Sequence, residues 1–82
     1  MLLPALKCSW ATQTMIITAD SHKEAFEKLA TLPVQPLVAE EGFADEHYHF
    51  FDRFQAVKMA KKLGLIPANF AGVELYDEDL IG

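Results

Sequence analysis

Eighty-two residues, 51% of them hydrophobic and 23% charged, are the makings of one globular domain over residues 1–82 with a small core. Twelve acidic against seven basic residues leave a formal net charge of −5. That balance excludes a general nucleic-acid coat, since phosphate binding needs clustered Lys and Arg, and it suits a basic partner instead, including a protein whose groove holds nucleic acid.

The opening MLLPAL is apolar, but Pro4 and Lys7 interrupt it and no basic segment precedes it, which argues against a signal peptide. No stretch approaches the about 18 apolar residues a membrane helix needs. ALKCSW and TQTMIIT then read as two short strands, the second carrying the β-branched run Ile16, Ile17, Thr18, with Ser9 to Thr12 as their connection. Cys8 is the one cysteine, so an intrachain disulfide and a cysteine-based zinc site are both excluded. Set among Leu6, Lys7 and Trp10, it reads as a small buried residue in a chain suited to a reducing cytoplasm.

DSHKEAFEKLATL predicts a helix. Ser21 is the N-cap and Glu24 completes a capping box, while Phe26, Leu29 and Ala30, with Ala25 beside them, form the apolar face. Glu24 and Lys28 make a favourable i,i+4 pair, and Pro33 and Pro36 stop the helix. A hairpin is expected from about Val38 to Phe51, with HYHFF as its second strand and His47, His49 and Phe51 on one face. Asp52 caps a second helix, with Gln55 completing the box. Ala56, Met59, Ala60 and Leu63 face inward with Val57 close by, and Gly64 forms the stop. GVELY reads as a last strand before an acidic DEDLIG segment. The order β-β-α-β-β-α-β implies an α+β fold: a small antiparallel sheet of about four to five strands with two helices packed on one face.

Three constellations carry chemical interest. His47-x-His49 starts a transition-metal site, with Asp45, Asp52 or His22 as a third ligand, but the pair alone is a weak signal and the expectation is no metal and no cofactor. Arg53 sits at a helix start, where free N–H groups favour an anion, and the competing reading is a salt bridge to Asp52 or to a carboxylate of the final segment. Lys58, Lys61 and Lys62 share a helical face and read as solvated. YDEDL brings Asp77, Glu78 and Asp79 together, where they could meet a cation, a ribose hydroxyl or Arg53, and Tyr76 and Leu80 suggest that the segment packs back. No Gly-rich phosphate loop, GxSxG or HExxH is present, so a non-enzyme is expected.

At EEGF, at HFFDRFQAVKMAKKLGLI and at ELYDEDL the chain resembles a family of small proteins common in phage and prophage genomes. Their pattern is EQGF-x-T-x-x-GRFV-x-R-x-EA-x-x-IA-x-x-x-GQ, ending near LYSEDL. The correspondence runs from Ser21 onward. His22 falls at a helix-start histidine, and Glu41, Gly42 and Phe43 on the QGF segment. Phe50, Arg53, Ala56, Ala60 and Gly64 match the second-helix pattern, and Leu75, Tyr76, Glu78, Asp79 and Leu80 match its end. Departures stand at Glu41, at Tyr48-His49 in place of Gly-Arg, and at Gln55, Leu65 and Asp77. The resemblance implies a phage-encoded accessory protein with a counter-defence role.

Two binding functions and one enzymatic function follow. In the first, an acidic inhibitor of the anti-CRISPR kind blocks a host nucleic-acid-guided defence complex, with Asp45, Glu46, Asp52, Asp77, Glu78 and Asp79 occupying a basic channel. In the second, Arg53, His22, Glu78 and Asp79 line a pocket that sequesters a phosphorylated, nucleotide-derived immune signal. The third is a small metal-dependent hydrolase built on His47 and His49. The first is slightly ahead, with no direct nucleic-acid or membrane contact expected, and surplus aromatics around a small core are consistent with a homodimer.

Overall fold

The computed structural model describes residues 1–80. Four strands, β1 (Leu3–Ser9), β2 (Thr14–Thr18), β3 (Val38–Ala44) and β4 (Phe50–Asp52), form one antiparallel sheet in the order β2-β1-β3-β4. Helix α1 (His22–Ala30) follows β2 and helix α2 (Arg53–Lys62) follows β4. The expected α+β fold is therefore present.

Register explains which side is covered. Ala5 pairs with Thr18 on one side and Gly42 on the other, and Phe43 pairs with both Pro4 and Phe51. Leu6, Cys8 and Ile17 thus share a face with Phe43 and Phe51. Both helices pack on that face. Leu6, Cys8 and Ile17 gather around Ala25 and Leu29 of α1, whereas Phe43 and Phe51 gather around Ala56, Val57 and Ala60 of α2. The core therefore consists of two adjacent clusters. Pro4 is tolerated in a central strand because its ring nitrogen faces the end of β2. There the Pro4 carbonyl accepts the Ala19 N–H at 3.1 Å, just beyond the last ladder residue.

Several elements match the sequence closely. Ser21 Oγ accepts the Glu24 N–H at 3.1 Å, which is the N-cap half of the expected capping box without the return bond from the Glu24 side chain. Asp52 and Gln55 close a full capping box on α2. Gly64 has φ +74, its N–H reaches Lys61 and the Leu65 N–H reaches Ala60, which is a Schellman stop. Burial of Cys8 pushes its thiol pKa up, as an inert core position requires.

Four expectations need correction. GVELY is not a strand: Leu75 is buried, but its N–H donates to the Arg53 carbonyl at the start of α2, so the segment crosses the helix layer instead of extending the sheet. The final segment instead forms a short 3-10 turn, Asp77–Leu80. HYHFF is only partly a strand. β4 begins at Phe50, and His47, Tyr48 and His49 form the turn, with Tyr48 at φ +62. Phe26 and Ala30 do not face the core. The buried positions of α1 are His22, Ala25 and Leu29, and Phe26 is 42% exposed. Leu63 is likewise exposed, as the C-cap of α2.

Candidate functional site

His22, Arg53 and Asp77 meet at one place, the seam where the 75–80 segment crosses between the two helix starts. His22 is the first residue of α1 and is buried, although its neighbours Lys23 and Glu24 are exposed. Its ring Nε2 lies 2.7 Å from the Gly42 carbonyl, and its ring Nδ1 meets Asp77 Oδ1. A carbonyl only accepts, so Nε2 donates to Gly42 while Nδ1 faces the Asp77 carboxylate. Asp77 Oδ2 also accepts the His22 backbone N–H at 2.8 Å. That N–H is one of the donors a helix N-terminus leaves unpaired, so a carboxylate 55 residues away both caps α1 and meets its dipole. The imidazole stands edge-on to Phe43, with centroids 5.2 Å apart and planes at 87°. A residue of α1 thereby contacts the cluster under α2.

Arg53 holds the same segment from the other side. Its Nη1 donates to the Leu75 carbonyl at 2.6 Å and its Nη2 to Glu41 at 2.7 Å. Its guanidinium lies 4.8 Å above the Tyr76 ring and 6.0 Å from that of Phe43. The salt bridge expected to Asp52 or to the final segment is therefore made to Glu41, because β3 lies alongside the helix start. Glu41 and Gly42, adjacent on β3, serve Arg53 and His22 respectively.

The remaining candidates separate into two groups. Asp79 accepts the Tyr76 N–H at 2.8 Å and Glu78 is exposed beside it. The Tyr76 hydroxyl donates to Glu74 at 2.9 Å, and this bond to a carboxylate raises the phenol pKa. Glu74, absent from the sequence reading, thus belongs with Glu78 and Asp79. Its signal was its place two residues before the YDEDL motif. Asp45 and Glu46 lie in the β3–β4 turn and Asp52 is committed to its cap, so the acidic residues do not form one continuous patch.

The turn is organised by Asp45. Its carboxylate accepts the His47 and His49 N–H groups, each at 2.9 Å, and lies 2.9 Å from His49 Nδ1. Partial desolvation pushes its pKa up, but these bonds together outweigh that and hold it below the usual value. The two imidazoles have centroids 6.0 Å apart, and no group of three metal-ligating side chains occurs among the described residues. The Lys58, Lys61 and Lys62 side chains are exposed. A shallow groove of about 580 Å³ lies at the opposite pole, lined by Trp10, Met15, Leu32 and Val34, and contains none of the expected site residues. No helix among the described residues is long and apolar enough to cross a membrane.

No protein-family model, curated protein or solved structure matches this chain.

Proposed function

We propose that this protein is a non-enzymatic binding module that presents ordered acidic side chains to a basic protein surface. The observation that carries this reading is the double fastening of the 75–80 segment. His22 holds the Asp77 side chain and Arg53 holds the Leu75 backbone, so Glu74, Glu78 and Asp79 stand at fixed positions before any partner arrives. Preorganised carboxylates lose little freedom on docking and steer association with a basic groove. The phage-type resemblance supports a specific role for this surface, inhibition of a nucleic-acid-guided host defence complex by occupying a channel that otherwise holds nucleic acid.

Capture of a phosphorylated nucleotide draws less support. The two groups it would use are already engaged: His22 has both ring nitrogens paired, and the Arg53 fork spans Glu41 and Leu75. Affinity capture from host lysate, with mass spectrometry of proteins and small molecules, tests the proposal. Retention of one large nucleic-acid-binding protein, lost in a Glu74→Lys, Glu78→Lys double variant, is the expected result. A retained ultraviolet-absorbing small molecule, or a thermal shift with nucleotides, would overturn it.

A further inference from the structure

The sheet has two edges of unequal character. β4 is three residues long and turns directly into α2, so it offers little to a further strand. β2 is different. Thr14-Met15-Ile16-Ile17-Thr18 contains no charge and no proline. Such a strand lacks most devices that keep natural edges from pairing.

Hydrogen bonds at both ends fix which groups point outward. The Trp10 N–H donates to the Gln13 carbonyl at 2.8 Å, and the Ala19 N–H donates to Pro4. Residues 13 and 19 thus face β1, and alternation sends the N–H and C=O groups of Thr14, Ile16 and Thr18 to the open side. Among the described residues only the Thr18 carbonyl has a partner there, Lys28 Nζ at 2.8 Å.

We infer that β2 is a self-association edge whose occupant is β2 of a second copy of this chain, paired antiparallel about Ile16. The strand is complementary to its own reverse. Ile16 meets Ile16, and Thr14 meets Thr18. On the helix side Met15 meets Ile17. Both copies offer donors and acceptors in matching order, with the Thr18 carbonyl released as Lys28 turns to Glu24 of the other copy, the requirement for an isologous two-fold contact.

The helix layer supplies an independent argument from charge. α1 runs antiparallel to β2: His22 lies near Gly42, in register with Thr18 through Ala5, whereas Leu32 shares a groove with Met15. It packs over β1 and β2 together. With strands about 4.8 Å apart, a two-fold between the β2 strands sets the two α1 helices about 10 Å apart, the spacing of packed helices. The flank of α1 turned toward the edge is the one from which Lys28 reaches Thr18, and Glu24 lies on it one turn earlier. Antiparallel pairing brings Glu24 of each copy opposite Lys28 of the other. The two signs therefore complement each other across the axis, although each copy is acidic overall. The product is one eight-stranded sheet with four helices on one face.

Sedimentation equilibrium over a wide concentration range tests this. The wild-type protein is expected to dimerise, and Ile16→Pro, which removes an outward N–H, to sediment as a monomer with an unchanged circular-dichroism spectrum. Should that variant unfold, Thr14→Pro at the strand end makes the same test. Lys28→Glu is expected to weaken the dimer about fivefold for the two symmetry-related pairs, and the swap Glu24→Lys, Lys28→Glu to restore it. A wild-type protein that stays at 9.2 kDa at every concentration overturns the inference. So does a dimer that survives a folded proline variant.

Discussion

Asp77 grips His22 through both carboxylate oxygens, one on the backbone N–H that opens α1 and one on the ring. Because the far side of that ring is bonded to Gly42, the pair joins α1, the central strand β3 and the 75–80 segment. Removing either partner strands a buried polar group. His22→Ala and Asp77→Ala are each expected to cost about 2 kcal/mol, and the double variant less than their sum by about 1 kcal/mol or more. Urea unfolding of the four proteins in the cycle measures the coupling, and strict additivity would mean that the contact contributes nothing.

Gly42 is required for space. A Cβ there would lie 2.3 Å from the Phe51 carbonyl oxygen and 2.5 Å from the Phe50 ring. Gly42→Ala is expected to destabilise by about 2–3 kcal/mol. Adding Phe50→Ala should not restore stability, because the backbone oxygen remains. Thermal melts of the single and double variants decide between backbone and ring as the obstacle.

Arg53 acts through the shape of its guanidinium. Lysine keeps the charge but cannot span Glu41 and the Leu75 carbonyl while lying over Tyr76. Arg53→Lys is therefore expected to cost about 1–2 kcal/mol and to speed proteolytic cleavage within residues 71–80. Limited proteolysis followed by mass spectrometry locates the cuts. An unchanged digestion rate would show that Asp77 alone suffices.

The Asp45 turn should respond to acid. Its carboxyl pKa is depressed in the fold, so the stabilisation it gives is present above the unfolded value and is lost as pH falls through the folded one. In Asp45→Asn that acid response at the turn disappears. Amide chemical shifts of His47 and His49 followed through an acid titration report it. Persistence of the response in the variant would assign it to another carboxylate.

Cys8 offers a probe of global opening. Its thiol is buried and its pKa is raised by burial, so a water-soluble thiol reagent should modify it only when the sheet opens. Labelling is expected to be slow in buffer and fast in urea. Rapid labelling under native conditions would place Cys8 in a region that opens locally.

The caps and the Gly64 stop were legible in the sequence, because each depends on residues within a few positions of one another. Ser21, Asp52 with Gln55, and Gly64 act through local backbone geometry, which tertiary contacts did not alter here. The misread elements all involve longer range. Phe26 has helical spacing with Leu29, but the sheet lies on the side of α1 that carries His22 and Ala25, so a polar ring is buried and an aromatic one is exposed. Val73 to Tyr76 have strand-forming residues, but both sheet edges lie elsewhere and Arg53 captures the segment first.

Sequence alone thus determined the fold class and the helix limits, and singled out His22, Arg53 and the final acidic motif as candidates. Tertiary structure decided what those residues do. Hydrogen-bond partners 55 residues apart, as His22 and Asp77 are, leave no periodic signal in a chain. The burial that makes their contact strong exists only once α1, β3 and the 75–80 segment have come together.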